Sequence, residues 1–409
     1  MSPGVPLAPE DATRLWMGTR AHPLAVTAVL ELRGALGREE LAARVERRLL
    51  AHARFRCAIV ERGALEAPRW EERRVELDWH LKERSAGSDA HALERVATEC
   101  ARAPFDPERP RWRAWLVQRE GASSAIVVRV HHAIADGHAL LRVLLGVTDE
   151  GQDLSPEDER KDAPLPWPSP AEALARARTV ARVLARRRDA LSAGAPWRGG
   201  VRYVWSDPLP LEPLKAASHR MGAHLTELVL AALGTALAGL LPRRPHPLHA
   251  LVPVALPAEG GGIGNHFASV FVPLPVGEAP LAARVARVNE AMRAARAEVA
   301  VSASRSLVRV AGLLGAHVER VGIALLSRHA SVVVSSMVGP PVPVHVCGRE
   351  VTRIVPFAPA PGSVPLAVGA MGYAGSLQLS LAATPRVAEP WSVLSTLRRE
   401  LCRASGLGA

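Results

Sequence analysis

The stretch AIVVRVHHAIADG, Ala125 to Gly137, runs from an apolar segment into a histidine pair and an Asp-Gly turn. Ala114–Val117 and Ala125–Val130 predict a strand pair around the polar turn Arg119-Glu120-Gly121, and His138–Leu145 carries a helical pattern. Side chains on a strand alternate between faces, so His131 and His132 cannot both enter one cleft, and only one can act as a base. The Asp-Gly pair permits a tight turn with positive φ at Gly137. That turn brings Asp136 back to the histidine strand end, where it is expected to hold an arginine or a histidine ring. A neutral imidazole suits removal of a proton from a hydroxyl. No GxSxG elbow and no cysteine lie nearby in sequence, so the histidine is expected to activate a substrate's own hydroxyl. The alternatives are a structural histidine pair beside a turn, and a metal site through His132, Asp136 and His138. No second ligand cluster supports the metal, and none is expected.

Outward from this motif, 409 residues with 48% hydrophobic and 22% charged content predict two domains with substantial cores. Only Lys82, Lys161 and Lys215 are lysines, so the net charge of +11 is the work of arginine. The arginines are scattered and no aromatic platform accompanies them, so nucleic acid is not an expected partner. Cys57, Cys100, Cys347 and Cys402 have neither zinc nor disulfide spacing, which fits a reducing cytoplasm. The N-terminal residues lack the pattern of an export signal, and neither Leu228–Leu241 nor the uncharged Ile354–Pro385 is a plausible membrane span.

The composition turns acidic and proline-rich from Asp149 to Pro170, which reads as a linker. The expected division is therefore residues 1–150, a linker and basic crossover helix over 151–195, and residues 196–409. The basic helix Ala171–Ala193 has two readings: a crossover element packed through its alanine face, or an element lying on an anionic membrane. Gly260, Gly261, Gly262 and Gly264 fail the dinucleotide spacing and read as a loop before Asn265, and His246 and His249 form only a weak pair.

HHAIADG resembles the HHxxxDG signature of acyltransferases related to chloramphenicol acetyltransferase and condensation domains. The chain as a whole is similar to the bacterial wax ester synthase/acyl-CoA:diacylglycerol acyltransferase family. The resemblance rests on PLAPEDATRLWM at the start, FDPERPRW at Phe105–Trp112, and the blocks Ala195–Leu237, Leu251–Val276 and Ser335–Val351, in the family's order. It implies an α/β fold of two chloramphenicol acetyltransferase-like domains with the active-site tunnel at their interface. It implies His132 as general base, Asp136 as mainly structural, and His131 and Gly137 as supports of the turn. The implied reaction is direct attack of a fatty alcohol or diacylglycerol hydroxyl on acyl-CoA, a substrate, with no cofactor. The oxyanion that develops needs donors, for which Thr226, Asn265, Ser335 and Ser336 are the candidates.

The chain departs from the family pattern at three places. Thr226-Glu227 replaces Asn-Asp, Ser335-Ser336-Met337-Val338-Gly339-Pro340 replaces SNVPGP, and Pro110-Arg111-Trp112 replaces PLW. These changes leave acyl transfer implied and the acceptor open. The competing readings are another hydroxyl or amine acceptor, such as a polyketide or glycolipid, and a non-catalytic acyl-CoA or lipid-surface protein. The expected location is cytoplasmic, with contact at the inner face of the membrane or on lipid inclusions. Ile354–Pro385 is a candidate lining for an acyl-chain tunnel, where each buried methylene contributes about 0.8 kcal/mol.

Overall fold

A computed structural model describes residues 4–18, 23–63, 66–121, 123–151, 169–189, 191–192, 200–241, 248–255, 263–277 and 279–407. Most of the acidic linker, His246 and Gly260–Gly262 lie outside the described residues. The strands in chain order are β1 (Val5–Pro6), β2 (Ala25–Leu32), β3 (Cys57–Val60), β4 (Arg69–Glu72), β5 (Leu81–Ser85), β6 (Trp112–Arg119), β7 (Ser123–His131) and β8 (Arg202–Trp205). They continue with β9 (Leu209–Pro210), β10 (His249–Ala255), β11 (Phe267–Pro273), β12 (Val332–Val338), β13 (His345–Val346), β14 (Arg349–Phe357), β15 (Leu366–Tyr373) and β16 (Ser376–Ala383).

Two mixed sheets dominate. The first has the order β13-β14-β2-β7-β6-β5, and the second β11-β10-β12-β15-β16-β8, with β9 also on β16. A small sheet, β1-β4-β3, stands apart. The β6–β7 pair forms an antiparallel hairpin, with Trp112 opposite Val130 and Arg119 opposite Ser123. Gly121, at φ +78°, supplies the left-handed residue of its turn.

The alternation on β7 sorts its residues between two cores. Ile126, Val128 and Val130 pack in the core of the first half, while Ala125 and Val127 face a layer shared with the second sheet. In that layer Tyr203 stacks on Phe357, with ring centroids 3.9 Å apart, and its hydroxyl donates to Thr27 Oγ1 at 3.0 Å. The second half has its own core around the helix Leu225–Ala238, which is buried on nearly every side, in keeping with its uniformly apolar sequence. Among the described residues no single helix is long and apolar enough to cross a membrane. The helices Leu211–Arg220 and Leu225–Ala238 pass only as a pair, and they are bent by 89°.

Several expectations need correction. The division at residue 196 does not separate the sheets, because β13 and β14 cross back and β14 pairs with β2. A strand's register partner is invisible to local pattern. The basic helix runs from Pro170 to Leu184 rather than to Ala193, and it packs on the helix Glu298–Leu314 with none of its own residues buried. The helix Arg38–Arg44 widens into a π turn at Val45–Leu49. The paired helices Glu298–Leu314 and Ala316–Leu326 were not foreseen.

The two sheets approach closely where β14 passes Gly369 of β15. A Cβ on Gly369 would lie 2.4 Å from the Pro356 carbonyl oxygen and 2.5 Å from Ser380 Oγ. Gly369→Ala is expected to destabilise the protein by about 1–3 kcal/mol through overpacking. Denaturant unfolding measures this, and an unchanged midpoint would refute the close approach.

Candidate functional site

The turn after β7 is built by its own polar groups. His132 N–H donates to the Leu24 carbonyl at 2.8 Å, and the His131 ring Nδ1 accepts from Ala133 N–H at 3.1 Å. The second contact satisfies His131 within the turn, with its ring edge-on to Phe105. Asp136 is the N-cap of the helix Gly137–Val147, its Oδ1 accepting from Ala139 N–H at 2.9 Å. Its Oδ2 accepts from His266 N–H at 2.8 Å, and its own N–H donates to Gly264 O at 3.0 Å. Asp136 therefore grips backbone from both halves and holds neither an arginine nor a histidine ring, contrary to the expectation. Gly137 does not adopt positive φ either. It opens the helix, and a Cβ there would come 3.2 Å from Met337 Sδ, so the glycine makes room for the opposite wall.

Asn265 is buried beneath the turn. Its Nδ2 donates to the His132 carbonyl and to Asp11 Oδ1, both at 2.8 Å, while Asp11 Oδ2 pairs with Arg54 at 2.8 Å. Both amide protons are thereby committed, which makes Asn265 a positioning group rather than an oxyanion donor.

A cleft of about 970 Å³, counting its open mouth, runs between the halves. His132, Asp136, Gly137, Ser335 and Ser336 line it, whereas Thr226 does not. Thr226 stands in the first turn of Leu225–Ala238, beside a Glu227 that accepts from His224 N–H and pairs with Arg296. The Thr226-Glu227 departure is thus a helix-start feature. Much of the remaining wall is apolar, and Pro356 to Pro359 with Pro361 contribute from the uncharged segment. His138 reaches the rim. Among the described residues no group of three or more His, Cys, Asp or Glu could hold a metal ion. His249, of the weak pair, is taken up by Asp189 at 2.8 Å.

Sequence reasoning missed Arg14, which lines the cleft from the short helix Pro9–Trp16. The available signal was Asp11 and Arg14 three residues apart in the short helix PEDATRLW, ahead of the apolar Leu15 and Trp16, and both are buried. Arg14 Cζ lies 4.5 Å from the Phe267 ring centroid, and His132 packs on the same ring at 5.4 Å. Burial pushes the His132 imidazole down to about 4, and Arg14 pushes in the same direction, against Asp136, Asn265 and its own carbonyl. His131 is pushed well below the usual range by burial and by Arg111. His132 Nδ1 is buried without a well-aligned partner, and the His132 side chain lines the cleft. The site therefore presents a neutral imidazole to a largely apolar cavity.

Residues 7–228 match the wax ester synthase/diacylglycerol acyltransferase catalytic domain, and residues 263–403 match the WS/DGAT C-terminal domain. The chain belongs to this family. It is an acyl-CoA-dependent acyltransferase with the two-domain chloramphenicol acetyltransferase-like fold. A Mycobacterium bovis protein assigned as a diacylglycerol O-acyltransferase is 26% identical over 399 residues, covering 82% of this chain and 78% of its own. The wax ester synthase/diacylglycerol acyltransferase of Marinobacter aquaeolei superposes with a TM-score of 0.70 at 19% identity, covering 98% of this chain and 100% of that one. The starter condensation domain of rhizomide synthetase, solved with C8-CoA, gives 0.67 at 14% identity, covering 100% and 95%.

The depressed imidazole fixes a pH window. Between pH 6.5 and about 4 the unfolded chain binds a proton that folded His132 refuses, so stability falls as pH drops through that window. Above it the imidazole is neutral in both states, and this contribution no longer changes. The kcat/KM profile is expected to hold level on its acid side down to about pH 5 and to drop near 4. An acid limb centred near the ordinary histidine value would contradict the burial argument.

Proposed function

We propose that the enzyme transfers a long-chain acyl group from acyl-CoA to a lipid hydroxyl, with His132 as general base. The reading is carried by one observation: a histidine kept neutral by burial on the wall of a largely apolar cleft between the halves. The hydroxyl proton moves to Nε2 as the oxygen attacks the thioester carbonyl. The tetrahedral intermediate then collapses with cleavage of the C–S bond, and the imidazolium returns the proton to the CoA sulfur. The products are ester and free CoA. Ser335 and Ser336 line the cleft and supply hydroxyl donors for the oxyanion. Fatty alcohol and diacylglycerol are the acceptors to which the family name and the apolar walls point. A condensation-type amine is the competing acceptor.

We also place the protein at the cytoplasmic face of an anionic membrane. The helices Glu298–Leu314 and Ala316–Leu326 expose Val310, Leu313, Leu314, Val318, Val321 and Leu325, with Leu314 and Val321 each 60% exposed. The helix Pro170–Leu184 packs on Glu298–Leu314, and exposed Arg178 and Arg182 on it, Arg186, Arg187 and Arg188 just after it, and Arg320 in Ala316–Leu326 form no ion pair with a described residue. Exposed apolar side chains together with unpaired arginines complement acidic headgroups. The same helices cover Pro9–Trp16 from outside, with Thr13 Oγ1 donating to the Val308 carbonyl at 2.8 Å. A lipid leaving the bilayer here would be one helix away from the cleft.

Purified protein with palmitoyl-CoA and hexadecanol or diacylglycerol is expected to release CoA thiol, and His132→Ala should lower the rate on the order of 10²–10⁴-fold without loss of fold. Full activity in that variant would remove His132 as base. Thiol release only with amine acceptors would favour the condensation-type reading, and acyl-CoA binding with no release would favour a non-catalytic protein. Sedimentation with phosphatidylglycerol vesicles should be strong, weaker with phosphatidylcholine vesicles, and reduced by Val321→Glu. Equal sedimentation of wild type and variant would remove the docking face.

A further inference from the structure

Arg14 is 4% exposed and lines the cleft beside His132. Its surroundings do not neutralise it. Among the described residues its hydrogen-bond acceptor is the Met17 thioether, 3.0 Å from Nη1, while Nε is buried with no partner. No carboxylate of a described residue comes within ion-pair distance. The nearby acids are engaged elsewhere: Asp11 by Arg54 and Asn265, and Asp136 by two backbone N–H groups. Glu319, the strongest attractive influence on Arg14, is itself buried and pushed up to about 7, so it is only partly ionised at neutral pH. The Phe267 face offers the guanidinium a cation–π contact, which is weaker than a paired anion in a dry site.

A buried guanidinium with spare donors, on the wall of a substrate cavity, is a ready receptor for an acidic oxygen. The transient oxyanion of acyl transfer is one such group, but it needs no permanent full charge, and the two serines already face the cleft. A lasting anion on the substrate is the better counterpart to a lasting cation. We infer that Arg14 forms an anion subsite in the acceptor cleft, selecting acceptors with a carboxylate or phosphate close to the reacting hydroxyl. This rests on the acyl-transfer reading above and narrows its acceptor class.

The test compares matched acceptors with palmitoyl-CoA as donor. For the carboxylate source these are α-hydroxypalmitate and its methyl ester, and for the phosphate source monopalmitoylglycerol phosphate and monopalmitoylglycerol. In the wild type the anionic member of at least one pair is expected to have kcat/KM about tenfold or more above its neutral partner, mainly through KM. Which pair shows the effect identifies the source. Arg14→Met should collapse that ratio toward one, and Arg14→Lys should retain part of it. The wild-type comparison stands even where the Met variant folds poorly. Neutral members matching or exceeding the anionic ones would overturn the subsite alone, as would a ratio that survives in Arg14→Met. No thiol release with any of the four acceptors or with hexadecanol would overturn the acyl-transfer reading and this inference with it.

Discussion

The site depends on one carboxylate that bridges the two halves of the molecule. Asp136 caps the helix after the histidine turn with one oxygen and holds His266 N–H with the other, while its own N–H reaches Gly264. Asn265, between those two contacts, reaches the His132 carbonyl. These hydrogen bonds are shielded from water, where a charge-assisted bond is stronger and a broken one leaves a buried group unsatisfied. The position of His132 is thereby tied to a loop more than a hundred residues away, and the cleft has a fixed floor.

That rigidity has an electrostatic consequence. A histidine held in a dry, packed turn cannot easily carry charge, and Arg14 against the same Phe267 ring makes charging harder still. Neutral imidazole is therefore the resting form across the physiological range, the form the proposed base needs. The same depression weakens its pull on a hydroxyl proton, because proton-transfer driving force follows basicity. With His132 in its proposed role as base, something in the bound complex must restore its basicity.

How much of this could be read from sequence follows from the range of each interaction. The β6–β7 hairpin and the helix after the histidine pair are local, so periodicity located them. The return of β14 to the first sheet depends on strand pairing over more than three hundred residues, which no local pattern records. Asp136 was singled out beside the histidines, but its partners are backbone N–H groups, and any sequence can supply those. Thr226 was singled out by comparison with a family motif, yet its place in the fold is a helix start outside the cleft. Arg14 was passed over because a charged residue in a short helix ordinarily faces water. The helices Glu298–Leu314 and Ala316–Leu326, far away in sequence, pack against that helix.

Arg14 and His132 are best understood as a coupled pair. An isolated cation near the base suppresses the imidazolium, and an anion seated on that cation cancels the suppression. The acceptor that fits the subsite would thus raise the basicity of the histidine it needs, while a neutral lipid would leave it low. Linkage requires the converse as well: protonating His132 would strengthen binding of the anion. Selection of acceptor and activation of the base would then be one electrostatic event, set by a residue that lies outside the HHAIADG signature.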